Sequence, residues 1–147
     1  MNRAAVEDLL EQFRVAFQNG DEEGWSRLYD RTVVLMRPHE TKIMNGPEEM
    51  RQVGRTVYEA YQKLDLARVV TTIRDIRGFD PGIVLLDVTI DYYNSKDEQL
   101  LMSDVTYGLR RRAGGYRIAL HIPHNEAVRR PIFLETDDPD LLIGGQI

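Results

Sequence analysis

Two of the three histidines in this 147-residue chain sit close together in Tyr116-Arg117-Ile118-Ala119-Leu120-His121-Ile122-Pro123-His124. An imidazole exchanges protons near neutral pH, so a histidine that reaches a pocket is a candidate proton carrier. The stretch has the period of a strand, and a spacing of three residues on a strand points His121 and His124 to opposite faces. Pro123 argues against a helix that would bring them together, so the pair predicts no metal site. Alternation groups His124 with Tyr116, Ile118, Leu120 and Ile122, and groups His121 with Arg117. His124 is therefore the expected proton carrier, and its bland alternative is a hydrogen-bonded or solvent-facing histidine at a strand end.

A second group of candidates is tyrosines. Tyr58, Tyr61, Tyr107 and Tyr116 could each hydrogen-bond a ligand carbonyl, or pack in the core with the hydroxyl at its edge. Arg37, followed by Pro38 and His39, could hold a carboxylate or enolate oxygen with its guanidinium. Its bland alternative is a surface arginine beside a proline. No Gly-rich phosphate loop, dinucleotide fingerprint or serine-centred nucleophile elbow is present, and no cofactor is expected.

These residues need elements to position them. Val6, Leu9, Leu10, Phe13, Ala16 and Phe17 recur at helical steps, which predicts a helix over about Ala4 to Gln18 that ends at Asn19-Gly20. Asp21 caps a second helix with Glu22 and Glu23 in its first turn and Trp25, Leu28 and Tyr29 on its buried side. Thr32 to Met36 and Thr41 to Met44 read as a strand pair. Gly46-Pro47-Glu48-Glu49 starts a long helix running to about Leu64, with Met50, Val53, Val57, Tyr61 and Leu64 along one side. From Leu66 the period becomes two, and strands read as Leu66 to Arg77, Gly82 to Tyr93, Gln99 to Arg111 and Tyr116 to His124. The tight turns between them predict an antiparallel meander.

One face of this meander carries Val84, Leu86, Val88, Ile90 and Tyr92, then Leu101, Ser103, Val105, Tyr107 and Leu109, then the His124 set. It should meet the helices. The other face carries Asp87, Thr89, Asp91, Asp104, Thr106, Arg117 and His121 among Ile83, Leu85, Leu100 and Met102. A mixed face of that kind predicts a homodimer through it. A β-bulge would exchange the two faces downstream of itself.

Bulk properties set the class. The length fits one domain with an ordinary core, and 42% hydrophobic and 29% charged residues are usual for a soluble protein. The absence of cysteine excludes disulfides and thiol chemistry. A net charge of −5 disfavours nucleic acid as a partner, and Arg110-Arg111-Arg112 reads as a solvated hairpin end. The longest apolar runs are too short to span a bilayer. Acids stand near the first residue where a signal peptide needs an apolar core, so a cytoplasmic protein is expected, without a membrane partner.

Helix, helix, strand pair, long helix, four-stranded meander is an order that resembles the nuclear transport factor 2-like superfamily, in its SnoaL-like and ketosteroid-isomerase-like branch. The resemblance rests on Phe13-Arg14-Val15-Ala16-Phe17-Gln18-Asn19-Gly20-Asp21 with Trp25 and Leu28-Tyr29-Asp30. It rests also on Val33 to Pro38, Asn45-Gly46-Pro47-Glu48-Glu49-Met50, and Gly115-Tyr116-Arg117-Ile118 before a histidine-bearing strand end. It covers about Ala4 to Ala127 and implies an α+β fold of the cystatin-like barrel type. In that fold a curved, mostly antiparallel sheet wraps the helices in a cone with an apolar pocket, and the protein dimerises. The domain is expected over 1–127, with an extension over 128–147 lying on the body or on a partner.

The branch's isomerases place a carboxylate base just before the proline that ends the first strand. Here that position looks like Arg37, which cannot lose its proton at usable pH. Their oxyanion tyrosine falls near Phe13, and their strand acid near Val105 or Asp104. The resemblance therefore keeps the cone and argues against classical ketosteroid isomerase chemistry. The expected function is binding of a small, mostly apolar molecule. Phe13, Phe17, Trp25, Tyr29, Val57, Tyr58, Tyr61, Ser103 and Tyr116 would form the ligand wall. If the protein is an enzyme, the expected chemistry is cofactor-free isomerisation, cyclisation or dehydration. His124 would then be the proton carrier, Tyr107 the hydrogen-bond donor and Arg37 the anion holder. The competing expectation is a non-catalytic ligand-binding or subunit-assembly module.

Overall fold

Asn2 opens the first helix by accepting a hydrogen bond from the Ala5 N–H, and α1 runs Arg3–Asn19. It ends at Gly20, whose φ of 69° is the left-handed conformation that glycine adopts without strain. The structure is a computed structural model. It describes residues 1–79 and 81–128, and the side chains up to residue 124 apart from Asp80. The extension expected over 128–147 lies outside the described residues except for Val128, which ends the last strand.

Asp21 accepts from the Gly24 N–H and caps the short helix α2 (Glu22–Ser26). The chain then enters β1 (Tyr29–Met36) earlier than its β-branched run suggests, so Tyr29 is a strand residue rather than a helical one. The reason is tertiary: the Ile118 N–H donates to the Leu28 carbonyl at 2.8 Å and Tyr29 pairs with Ile118, so the final strand captures this segment. β2 (Thr41–Asn45) returns antiparallel, and α3 (Pro47–Lys63) starts on Pro47 with Glu48 and Glu49 in its first turn. The meander follows as β3 (Leu66–Phe79), β4 (Ile83–Asn94), β5 (Gln99–Arg112) and β6 (Gly115–Val128).

The six strands form one curved sheet in the order β2-β1-β6-β5-β4-β3. Every pairing is antiparallel except β1 with β6, and the two edge strands do not meet, so the sheet is an open cone. Its inner face carries the predicted set: Val84, Leu86, Val88, Ile90 and Tyr92 on β4 and Leu101, Ser103, Val105, Tyr107 and Leu109 on β5 are all buried. They pack with the α1 stripe and with Met50, Val57 and Tyr61 of α3 in one core. Each such apolar side chain contributes roughly 1.5–3 kcal/mol by leaving water.

β6 departs from simple alternation at two places. Leu109 pairs with Ile118 but Gly108 pairs with Leu120, which leaves Ala119 as a bulge. Val105 pairs with Pro123 but Asp104 pairs with Asn125, which leaves His124 as a second bulge. Gly108 permits the first, because a Cβ built there would lie 2.8 Å from the Leu120 Cβ. Pro123 has no N–H to give a ladder and sits beside the second.

The basic hairpin end is also not merely solvated. Arg112 donates to both carboxylate oxygens of Asp30, at 3.1 and 2.8 Å, and Arg110 adds a contact at 3.3 Å. Asp30 has only 4% of its side chain exposed. Burial opposes its ionisation, but the hydrogen bonds and charges of Arg112 and Arg110 win and hold its pKa below the ordinary value. The clamp ties the start of β1 to the end of β5.

Candidate functional site

The bulge at Ala119 exchanges the two histidines. His121 pairs with Tyr107 and with Leu35, both on the inner face, and it is fully buried. Its ring stands edge-on to the Tyr107 ring, with centroids 5.0 Å apart at 71°. His124, expected on the inner face, lies exposed on the outer one, with Nε2 3.0 Å from the Thr106 hydroxyl. The histidines face opposite sides as their spacing predicts, with the sides reversed.

Around His121 the sheet and helices gather a small polar set inside an aromatic wall. Tyr107 touches Phe13 of α1, with centroids 6.0 Å apart, and Phe13 stacks on Phe17. Tyr29 meets Trp25 in a tilted contact, with ring centroids 4.7 Å apart. Gly54 lets α3 lie flat on that tryptophan, since a Cβ there would meet the indole at 2.7 Å. Just past the end of β1, two residues beyond Leu35, the Arg37 side chain is fully enclosed and donates to Glu40 Oε1 at 3.0 Å. Arg37 is thus an interior cation rather than a surface one.

The electrostatics of this set are uniform. The Tyr107 hydroxyl, the Tyr29 hydroxyl, the Trp25 Nε1 and both ring nitrogens of His121 are buried without a hydrogen-bond partner. Burial, aided by the charge of Arg37, pushes the His121 pKa down from 6.5 to about 3, so its ring is neutral at physiological pH. Burial likewise raises the Tyr107 and Tyr29 hydroxyls, which stay protonated. An unpartnered buried polar group costs about 1–3 kcal/mol, and native interiors hold few of them. A neutral imidazole, two phenols and a nearby guanidinium can hold and polarise an electron-rich oxygen. At a pKa near 3 the imidazole is too weak a base to carry protons at neutral pH.

The remaining expected wall residues divide. Phe17 meets Tyr61 and Tyr92 edge-on at 5.7 and 5.9 Å, and those two tyrosines stack with centroids 5.3 Å apart. Val57 is buried beside them in the same core. Ser103 is fully buried on the inner face of β5, four residues from Tyr107, and its hydroxyl also lacks a partner. Tyr116 is buried but serves the far end of α1, where its hydroxyl accepts the Asn2 N–H at 3.4 Å. Tyr58 is not part of the interior. It lies half-buried over Gly20 at the end of α1 and accepts from Gln62 at 2.8 Å.

The outer face carries a different kind of site. Thr106 donates to Asp87 at 2.6 Å, so its oxygen accepts from His124, while Arg74 donates at 2.8 Å to Thr89, whose hydroxyl donates to Asp104. Arg74, Asp87, Thr89, Asp104 and His124, with Asp91, Gln99 and Met102, line an open groove of about 530 Å³. Asp104 therefore faces away from the cone, as alternation predicts. Among the described residues no group of three or more His, Asp or Glu side chains could hold a metal ion, and no helix is long and apolar enough to cross a membrane.

His121 is the residue that sequence reasoning placed on the wrong side. Gly108 in a strand interior and Pro123 near a strand end both signal bulges, but neither says which residue is left unpaired.

Comparison with known proteins agrees with this architecture. A cystatin-like-fold domain of unknown function from Nostoc punctiforme superposes with a TM-score of 0.70 at 16% identity, covering 90% of this chain and 82% of that one. A ketosteroid isomerase-like protein from Erwinia carotovora superposes with a TM-score of 0.63 at 17% identity, covering 87% and 96%. A chain from Thiobacillus denitrificans described as a calcium/calmodulin-dependent protein kinase type II association domain gives 0.64 at 20%, covering 80% and 91%. At these identities the likeness shows the fold alone. No curated protein matches the sequence. The family model described as NTF2-like protein (DUF6841) matches residues 3–126, nearly the whole described fold, and the chain belongs to that family.

Proposed function

We propose that this protein binds a small, mostly apolar molecule inside the cone, between α1, α3 and the inner face of the sheet. The observation that carries the reading is the cluster of Tyr29, Tyr107 and His121. Their polar atoms are buried and without protein partners, the Tyr107 and His121 ring centroids lie 5.0 Å apart, and the surrounding wall is aromatic. A wall of that composition with a few convergent polar groups is what small-molecule sites are made of. Binding rather than turnover is the better-supported part. Tyr107, His121 and Arg37 polarise an oxygen, as a cofactor-independent isomerase, cyclase or dehydratase requires, but their proton affinities suit donation of hydrogen bonds. In this reading His121, not His124, is the imidazole of the interior, and it acts as a hydrogen-bond donor rather than as the proton carrier expected of His124.

Trp25 is the single tryptophan and lies in the wall, so its fluorescence reports on occupancy. A panel of bicyclic apolar compounds should include members that change Trp25 emission saturably, with the change abolished when Phe13→Trp fills the interior, read by a competing solvatochromic dye. Dye and panel that bind equally to the filled variant would refute the interior site.

A second reading concerns assembly. The outer face mixes the groove around His124 with exposed apolar side chains, Met36 and Ile43 on β1 and β2, and one structural neighbour is described as an association domain. We infer a homodimer through this face. Light scattering should give twice the 17.0 kDa chain mass at micromolar concentration; the mass of one chain would refute it.

A further inference from the structure

We propose that the groove between α1, α2 and the β5–β6 turn binds a small monocarboxylic acid with an apolar body, its carboxylate held by Arg117 and Arg27. The site lies outside the cone and does not depend on what the cone binds.

The β5–β6 turn gathers more positive charge than it neutralises. Register places Arg110 directly opposite Arg117, and like charges in that position destabilise a strand pair. Arg110 and Arg112 share the one carboxylate of Asp30. Arg117 has no ion-pair partner among the described residues. Its Nη1 donates to the Tyr116 carbonyl at 2.9 Å, which folds the guanidinium back over the turn. Glycine at 114 leaves it that position, since a Cβ there would lie 3.1 Å from its Nη2. Three guanidiniums thus stand against one carboxylate, in a chain whose net charge is −5. An excess of positive charge beside a concave surface concentrates anions there.

The concave surface is a groove of about 370 Å³, a volume that suits a small organic molecule. Leu9 and Leu28, almost fully buried, give it an apolar floor, and Arg117, Arg27, Asp8 and Gln12 line it above. Asp8 is engaged by Gln12 at 2.7 Å. Arg27 bonds Glu23 at 2.8 Å, but both side chains are more than half exposed. An exposed pair of that kind holds weakly, so Arg27 is free to turn to a ligand. Two arginines against one aspartate leave the groove short of one negative charge, which favours a monoanion over a nucleotide's several phosphates. The planar fork of a guanidinium matches a carboxylate, and Leu9 and Leu28 would take the apolar body.

Three probes that differ only in the head group test this: 4-phenylbutyrate, 4-phenylbutyramide and 4-phenylbutylamine. Each is titrated into the wild-type protein, Arg117→Gln, Arg117→Lys and, as a control, Arg111→Gln, since Arg111 lines a separate groove with Phe79 and Ile83. The readout is amide chemical-shift change with the dissociation constant fitted from it. The acid should bind about tenfold tighter than the amide, as one charge-assisted hydrogen bond supplies, and the amine should bind most weakly. Shifts should centre on Gln12, Leu28, Gly114 and Gly115. Arg117→Gln should bring the acid down to the amide's affinity, Arg117→Lys should keep part of the preference, and Arg111→Gln should leave it whole. Far-ultraviolet circular dichroism matching wild type confirms that each variant is folded. The assignment is wrong if acid and amide bind alike, if the acid keeps its advantage in folded Arg117→Gln, or if no saturable shifts appear at the turn. Shifts confined to Phe13 and Tyr107 would also overturn it while supporting the interior site.

Discussion

The two faces of β5 and β6 hold one histidine each and treat it in opposite ways. On the outer face, His124 is exposed and its ring nitrogen reaches Thr106, whose hydroxyl donates a hydrogen bond to Asp87. Every polar group of that chain of contacts has a hydrogen-bond partner. On the inner face, His121 is closed off from water and lacks any hydrogen-bond partner. A structural histidine in a core is normally hydrogen-bonded, so the inner residue carries an energetic cost that the outer one avoids. The contrast teaches that accessibility and chemistry-ready residue types mark the outer groove as the more conspicuous place, while the unsatisfied groups mark the inner one as a place prepared for something else.

The largest expected effect separates the faces by pH. The folded-state pKa of His121 is depressed to about 3 from 6.5. Below 6.5 the unfolded chain binds a proton there that the folded chain refuses, so stability falls as pH falls and the loss ends near 3. The slope is about 1.4 kcal/mol per pH unit through that window. Urea melts of wild type and His121→Leu between pH 7 and 4 should diverge by several kcal/mol, with the variant gaining on wild type toward acid. Parallel curves would mean that His121 is hydrated or paired.

Next in size is the bulge that creates the contrast. Gly108→Ala puts a methyl group 2.8 Å from the Leu120 Cβ, and overpacking of that kind costs about 1–3 kcal/mol. If β6 relieves it by moving Ala119 back into register, His121 turns outward. The acid-linked loss of stability should then shrink in the same variant, measured by the same melts. An unchanged pH profile would show that the bulge does not depend on this glycine.

Removing the inner hydroxyl should have the opposite sign from most core truncations. Tyr107→Phe deletes a buried polar group without a partner, so the ligand-free protein should gain about 1 kcal/mol in chemical denaturation. A loss of that size would show that the hydroxyl is bonded in solution. The smallest effect belongs to the outer face. His124→Ala removes one exposed hydrogen bond and should change stability by no more than about 0.5 kcal/mol; a loss above about 2 kcal/mol would mean that this face is buried against another chain.

Most of the fold was legible because its signals are local. The Asn19-Gly20-Asp21 stop and start, Pro47 with two acids behind it, and the apolar alternation of β4 and β5 each settle an element without help from the rest of the chain. What escaped depends on distant partners. Tyr29 joins a strand because β6 captures it, and Arg110 and Arg112 bind Asp30, some eighty residues earlier. The inner set was half legible. Tyr107, Phe13 and Phe17 are buried on the elements expected of them, whereas Tyr29 is buried from a strand instead of a helix and Arg37 is enclosed just past the first strand. His121 was not foreseen, because one unpaired residue at Ala119 reverses the parity of the stretch between it and the second bulge at His124. Tyr58 was misplaced for a simpler reason: it borders the α3 stripe, and the close approach to Gly20 that takes it outside is a contact between two helices.

The central claim is that Tyr29, Tyr107 and His121 form the polar end of a ligand site rather than a flaw in a core. A crystal structure of the protein grown with a bicyclic compound that changes Trp25 emission tests it most directly. The account predicts density for the bicyclic ring against Phe13, with a polar atom or an ordered water within about 3.2 Å of the Tyr107 hydroxyl or a His121 ring nitrogen. An interior closed on itself, with His121 hydrogen-bonded to Tyr107 or Tyr29 and the compound absent or bound only in the outer groove, would contradict it.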